Sequence, residues 1–303
     1  MINQVNSTIL RNLQPTTDIL YMPYNGYSDY LFDFGQTPYY NDGESVYEIK
    51  NGLKAPFLNN RGMNDAGFFS CLIYNDVDEQ SVLASKYTRN LHLPSLLIQH
   101  NLPSYEMPKE DAQTMFWNRL IHCCKVIVPD SLISRKWGIT CAVVPYYVPT
   151  FEEEKTIDVC LVGDIGPFDE EIINTVRDKI KGVVVDGHKD FFQTLDLLKK
   201  SKVCICPNGH ISPQTLLLMA MGCGCSIITN KTPLSEKWIK HSTTGILVDN
   251  FDECALWAQD LLNDHTLLGN PAREYVKDHH NIDLHRLLFN KALGEVRNST
   301  WIL

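Results

Sequence analysis

Residues 202–264 read KVCICPNGHISPQTLLLMAMGCGCSIITNKTPLSEKWIKHSTTGILVDNFDECALWAQDLLND. Short apolar runs alternate with segments of helical period: strand, loop, helix, three times over. A run that is apolar at every residue fits a strand covered on both faces. Strands that alternate with helices pair in parallel through crossover connections. This pattern restricts the chain to an open α/β sheet, where ligands bind at polar loops leaving the strand carboxyl ends. Residues 207–214 form such a loop, between a buried strand and the start of a helix.

The same alternation runs through the rest of the chain. DILYMP (18–23) reads as a strand ending at the Asn25-Gly26 turn, with a helical segment over 28–34. FFSCLIYND (68–76), SLLIQHN (95–101), KVIVPDS (125–131) and CAVVPYYVP (141–149) read as strands, separated by helices over 77–91 and 110–124 and a short LISRKWG helix. Residues 150–155, TFEEEK, are a charged break after two prolines and mark a domain boundary. Beyond it IDVCLVGD (157–164) restarts the pattern, with a helix over 168–181, a strand over 182–187 and a helix over 190–201. Two helical segments, NPAREYVKDHH and IDLHRLLFNKALGEV, close the chain. The expected architecture is two tandem Rossmann-like domains, 1–150 and 151–303, with parallel sheets and a cleft between them.

Composition narrows the function. The 303 residues are 44% hydrophobic and carry a formal net charge of −9, which disfavours a general nucleic-acid coat built on a basic field. No apolar run approaches the ~20 residues of a membrane span, and the polar N-terminal stretch is no secretory signal. The ten cysteines lie mostly in apolar segments, where a thiol behaves as a small hydrophobe. Cys204-x-Cys206 and Cys223-x-Cys225 are spaced more tightly than usual zinc ligands, so no metal is expected. The thiols point to a reducing, cytoplasmic setting.

Several motifs resemble GT-B glycosyltransferases, in particular their retaining, family-4-like group and its compact phage and virus forms. LLMAMGCGCSII (217–228) resembles the helix-to-strand segment of the nucleotide-binding domain. PLSE (233–236) falls on its glutamate loop, TGILVD (244–249) on the next strand, and LVGD (161–164) on the opening strand and glycine. In the first half, LIQHNLP (97–103) resembles a strand ending in an active-site histidine. The resemblance implies a transferase that uses a nucleotide-diphosphate sugar as co-substrate, without a further cofactor. The acceptor is unspecified, and a hydroxymethylated base in double-stranded DNA is one candidate, with Lys199, Lys200, Lys202, Lys237 and Lys240 available for phosphates. A non-catalytic nucleotide- or sugar-binding protein and a sugar-nucleotide epimerase share the fold. The chain departs from the family where its paired glutamates would fall, near Ile211 and at Met219. It departs again where a diphosphate-binding arginine would stand, at Asp164.

The candidate residues follow. Ser212 and Pro213 suit a helix start, as cap and first helical residue. Free N–H groups there attract phosphate, so Ser212, Pro213, Gln214 and Thr215 either contact the donor or simply cap the helix. Asn208, Gly209 and His210 precede them where a buried strand ends. Gly163 and the adjoining Asp164 follow the opening strand, where glycine permits close approach to a ligand or merely a tight turn. Lys231 is a candidate cation for the diphosphate, and Glu236 a candidate partner for a donor hydroxyl or a first-turn helix residue. The resemblance implies that the loop holding Gly26 closes under the donor; a plain turn is the alternative. His100 is the candidate catalytic residue, with a satisfied core histidine as the alternative. His279, His280 and His285 are expected on the surface.

Overall fold

The computed structural model describes residues 19–21, 39–41, 46–50, 53–58, 71–75, 95–100, 102–103, 107–119, 125–163, 169–185, 191–206, 215–250 and 253–297. The chain divides into two compact units, 1–147 together with 282–303, and 148–281. The terminal helix, expected with the second domain, belongs to the first unit.

The first unit holds an eight-stranded sheet. Its strands are β1 (Ile19–Tyr21), β2 (Tyr39–Asn41), β3 (Val46–Lys50), β4 (Leu53–Leu58), β5 (Cys71–Asn75), β6 (Ser95–Ile98), β7 (Lys125–Val128) and β8 (Ala142–Val143). The spatial order is β4-β3-β2-β1-β5-β6-β7-β8. From β2 through β8 the pairs are parallel, whereas β3 and β4 add an antiparallel extension. All four residues of β6 are buried, as the unbroken apolar run requires. Helix α1 (Lys109–Arg119) buries Ala112 and Phe116, and Phe116 meets Trp137 of α2 (Ser131–Trp137) with ring centroids 5.5 Å apart.

Of the expected strand over 141–149, Ala142–Val143 forms the strand, and Val144 N adds one more bond to Val128 O. Pro145 and Pro149 explain this, because proline donates no ladder hydrogen bond. β2, β3 and β4 correspond to no expected strand.

The second unit holds β9 (Ile157–Leu161), β10 (Val184–Val185), β11 (Ser201–Ile205), β12 (Ser226–Asn230) and β13 (Ile246–Val248), all parallel, in the order β10-β9-β11-β12-β13. One core layer packs Val159, Leu161, Val203, Ile205, Ile228, Ile246 and Val248 against α3 (Asp169–Lys179) and α7 (Cys254–Asn263). Each fully buried Val, Leu or Ile contributes about 1.5–3 kcal/mol. Helices α4 (Phe191–Lys200), α5 (Thr215–Gly222) and α6 (Ser235–Trp238) complete the crossovers. α8 (Thr266–His279) packs on α5 and β12.

The charged segment that opens this unit is anchored to it. Lys155 donates to the carbonyls of Leu198, Lys199 and Cys223, at the ends of α4 and α5, where orphan carbonyls and the helix dipole favour a cation. Phe151 N donates to Gly222 O at 3.0 Å. A Cβ at Gly222 would stand 2.6 Å from Pro149 O, so this contact requires glycine.

The last helix, α9 (Ile282–Arg297), lies on β6 and β7 of the first unit. His285, Phe289, Ala292, Leu293 and Val296 form its buried stripe, the spacing of a single helical face. Lys125 of β7 pairs with Glu295. His280 and His285 are buried rather than exposed; His279 is exposed. The return of α9 to a hydrophobic sheet buries His285, whereas His280 is buried at the end of α8 beside Trp238 and Tyr275.

Candidate functional site

In the second sheet the chain leaves β9 toward β10 on one side and returns through β11 on the other. This is a topological switch point, where a crevice opens outside the strand carboxyl ends. Gly163 follows β9 there at φ 138°, a conformation that side chains with a Cβ rarely adopt. β11 leads through Cys206 into residues 207–214, and the described chain resumes as α5 at Thr215, which is buried. Asp164, Asn208, Gly209, His210, Ser212, Pro213 and Gln214 lie outside the described residues, as does Gly26 in the first unit.

One strand further out, β12 ends at Asn230 and leads to Lys231. Lys231 N donates to Val248 O, and its Nζ donates to both carboxylate oxygens of Asp249 at 2.8 Å. Both groups are solvated, with the Asp249 side chain 82% exposed. The turn into α6 is built by reciprocal bonds: Thr232 N donates to Ser235 Oγ at 2.7 Å, and Ser235 N to Thr232 Oγ1 at 3.1 Å. This is a capping arrangement with Pro233 between its partners. Glu236 lies exposed in that first turn.

Met219 stands where the family resemblance implies an acid that holds the donor ribose. It is 2% exposed on α5, whose described residues are nearly all buried. The thiols of Cys204, Cys206, Cys223 and Cys225 are buried as well. Burial pushes Cys206 and Cys223 up to about 12, which disfavours the thiolate that ligates metal. Among the described residues no group of three or more His, Cys, Asp or Glu could hold a metal ion.

Of the five lysines assigned to phosphates, Lys237 and Lys240 are exposed at α6 and just beyond it, and the other three are engaged by acids. Lys199 pairs with Glu153, Lys200 with Asp196 and Lys202 with Asp158. They also lie at the amino end of β11, opposite the edge where ligands bind.

In the first unit, the carboxyl edge of the sheet is polar but buried. His100 lies just past β6 and is 1% exposed. Its Nδ1 is 2.8 Å from the hydroxyl of Tyr146, itself 1% exposed. The rings lie nearly parallel with centroids 5.8 Å apart. Burial lowers the imidazole pKa to about 3, so the ring is neutral at physiological pH and serves as a hydrogen-bonding group, not a cation. Asp130, just past β7, accepts from Leu132 N at 2.7 Å and caps α2. Tyr146 was not among the expected site residues. The signal for it was present in VVPYYVP, where a tyrosine ends a run of buried residues and needs a polar partner.

No family model matches the chain, and no curated protein matches it in sequence. Solved structures match in fold. Anabaena Alr3699/HepE in complex with UDP and glucose superposes with a TM-score of 0.66 at 10% identity, over 91% of this chain and 99% of that one. Sucrose-phosphate synthase from Thermosynechococcus elongatus gives 0.60 at 14% identity, over 92% and 98%. The pneumococcal O-GlcNAc transferase GtfA in complex with UDP and GlcNAc gives 0.60 at 10% identity, over 87% and 67%. The chain therefore has the GT-B fold, two Rossmann-like α/β units on largely parallel sheets.

Proposed function

We propose that the chain transfers a sugar from a nucleoside-diphosphate sugar to an acceptor hydroxyl. The unit 148–281 takes the donor, and the first unit supplies groups to the sugar or acceptor, His100 among them. The observation that carries this reading is the β9/β11 switch point, with Gly163 at φ 138° just past β9. Backbone at such a glycine can come close to a diphosphate, and N–H groups at a helix start attract phosphate. The likeness in fold to a protein solved with UDP and glucose supports this donor class.

In such a reaction the leaving diphosphate needs electrostatic stabilisation and the acceptor hydroxyl must be held in line. Lys231 is the candidate cation, and reaching a phosphate requires it to release Asp249. No metal is required where backbone dipoles and this lysine suffice. A hydroxymethylated DNA base has weaker support as acceptor, because Lys199, Lys200 and Lys202 are paired with acids. Buried Met219 at the ribose position favours a second reading, a nucleotide- or sugar-binding protein without turnover.

One experiment separates these readings. The protein is mixed with UDP-, GDP- and ADP-sugars, alone and with glycan, peptide and hydroxymethylated duplex acceptors. Thermal shift reports binding, since a ligand of the native state raises apparent stability. Mass spectrometry reports products. Glycosylated acceptor with released nucleoside diphosphate is expected. Binding without release selects the non-catalytic reading, and an altered donor sugar without acceptor selects an epimerase. No binding at millimolar donor sinks all three.

A further inference from the structure

The second sheet ends at β13, and the turn that leads into this strand folds back along its outer edge. Lys231 N, just past β12, donates to Val248 O, so Val248 turns its backbone groups toward β12. Backbone groups alternate in direction along a parallel strand, so those of Leu247 point outward. Leu247 N donates to His241 Nδ1 at 3.1 Å. His241 also forms a parallel bridge with Gly245. The turn between them is closed by Thr243 N and Thr244 N on Lys240 O, by Ser242 N on Gly245 O, and by Lys240 N on Thr244 Oγ1.

The side chain of His241 is exposed. A backbone N–H can only donate, so the bonded Nδ1 carries no proton and the neutral ring carries it on Nε2. An imidazolium is protonated on both nitrogens and accepts at neither. Protonation therefore sets two N–H groups against each other where the bond had been. Histidine is the side chain whose charge ordinarily changes between pH 5 and 8. Trp257 of α7 stands edge-on to the ring, with centroids 6.2 Å apart, and Lys240 precedes it in the chain. Glu253 and Asp260, four before and three after Trp257, share its side of α7 by helical spacing and are exposed. These acids favour a cation at His241, and Lys240 opposes it.

We infer that His241 is a proton-operated guard on the outer edge of β13. The neutral ring occupies the outward N–H of Leu247, and the protonated ring releases it. A sheet edge with free N–H groups is a template for pairing with another chain, and the guard keeps this edge closed in neutral solution. The inference stands whether or not the chain transfers sugar.

The test is amide hydrogen exchange by NMR on the full chain between pH 8 and pH 5, with each rate referred to the intrinsic rate at that pH. Val162 N–H, which donates to Ile205 O between central strands, is the reference. Relative to it, protection of Leu247 N–H should fall about fivefold on acidification, the worth of one hydrogen bond. His241→Phe keeps a ring beside Trp257 but offers no acceptor, so Leu247 should be poorly protected at every pH. His241→Asn sets an oxygen near the Nδ1 position and does not titrate, so its protection should also be independent of pH. Nitrogen-15 NMR of wild type at pH 8 should show His241 protonated on Nε2. A wild-type protection ratio that ignores pH overturns the inference, as does a response of the same size in either variant or a neutral His241 protonated on Nδ1.

Discussion

The carboxyl edges of the two sheets are built differently. In the first unit His100 and Tyr146 are buried and fix one another, Asp130 is buried as the cap of α2, and the histidine is neutral. In the second unit Lys231, Glu236 and Asp249 are solvated and charged. A buried neutral group keeps its geometry without a ligand and is costly to disturb. A solvated ion pair is worth little to stability and exchanges readily for an anionic ligand. The first edge therefore suits orientation of a neutral group, and the second suits capture of a charged one.

The strongest way to break this contrast is acid. The folded-state pKa of His100 is about 3 against an ordinary 6.5. Above 6.5 its full contribution to stability is present. As pH falls from 6.5 toward 3, the unfolded chain takes up a proton that the folded chain refuses, and stability is lost. At about 1.4 kcal/mol per pKa unit the loss amounts to several kcal/mol. Denaturant melts across that range should show a flatter pH slope in His100→Gln than in wild type. Equal slopes would mean that His100 is more open to solvent than the structure has it.

Next in size is turnover. His100→Ala should reduce sugar transfer at least about tenfold with the fold intact; an unchanged rate returns His100 to a purely structural role. A matched pair of acids then sharpens the contrast. Asp130→Ala removes a buried helix cap and should cost about 1 kcal/mol. Asp249→Ala removes an exposed ion pair and should cost less than about 0.5 kcal/mol. Urea midpoints of the two variants compare them directly, and a larger loss for Asp249→Ala would reverse the assignment. The smallest effect expected is on donor KM in Asp249→Ala. It should fall slightly as Lys231 is released, and a rise would show that the carboxylate itself holds the donor.

How much of this was legible follows from the patterns. IDVCL, SKVCI and SIITN are nearly continuous apolar runs, and each became a fully parallel strand. The stretch VYEIK-Asn51-Gly52-LKAPFL carries a strong hairpin signal, since Asn-Gly between two runs favours a tight turn. Its strands mix charges and tyrosines with apolar residues, so no apolar run marks them. β3 and β4 pair antiparallel across it, Lys50 opposite Leu53. Gly163 was legible because it follows an apolar strand directly. The ion pair of Lys231 and Asp249 was not, because it joins residues 18 apart in sequence.

The sequence by itself determined the fold class, the parallel second sheet and the loops that leave its carboxyl ends. These depend on local periodicity, which each segment carries alone. The tertiary structure decided the return of α9 to the first unit, the burial of His280 and His285, and the pairing of His100 with Tyr146 across 46 residues. It also decided that Lys199, Lys200 and Lys202 are engaged by acids. Except for the helical pair of Lys200 and Asp196, these outcomes depend on which distant segments share a layer, and no local period encodes that.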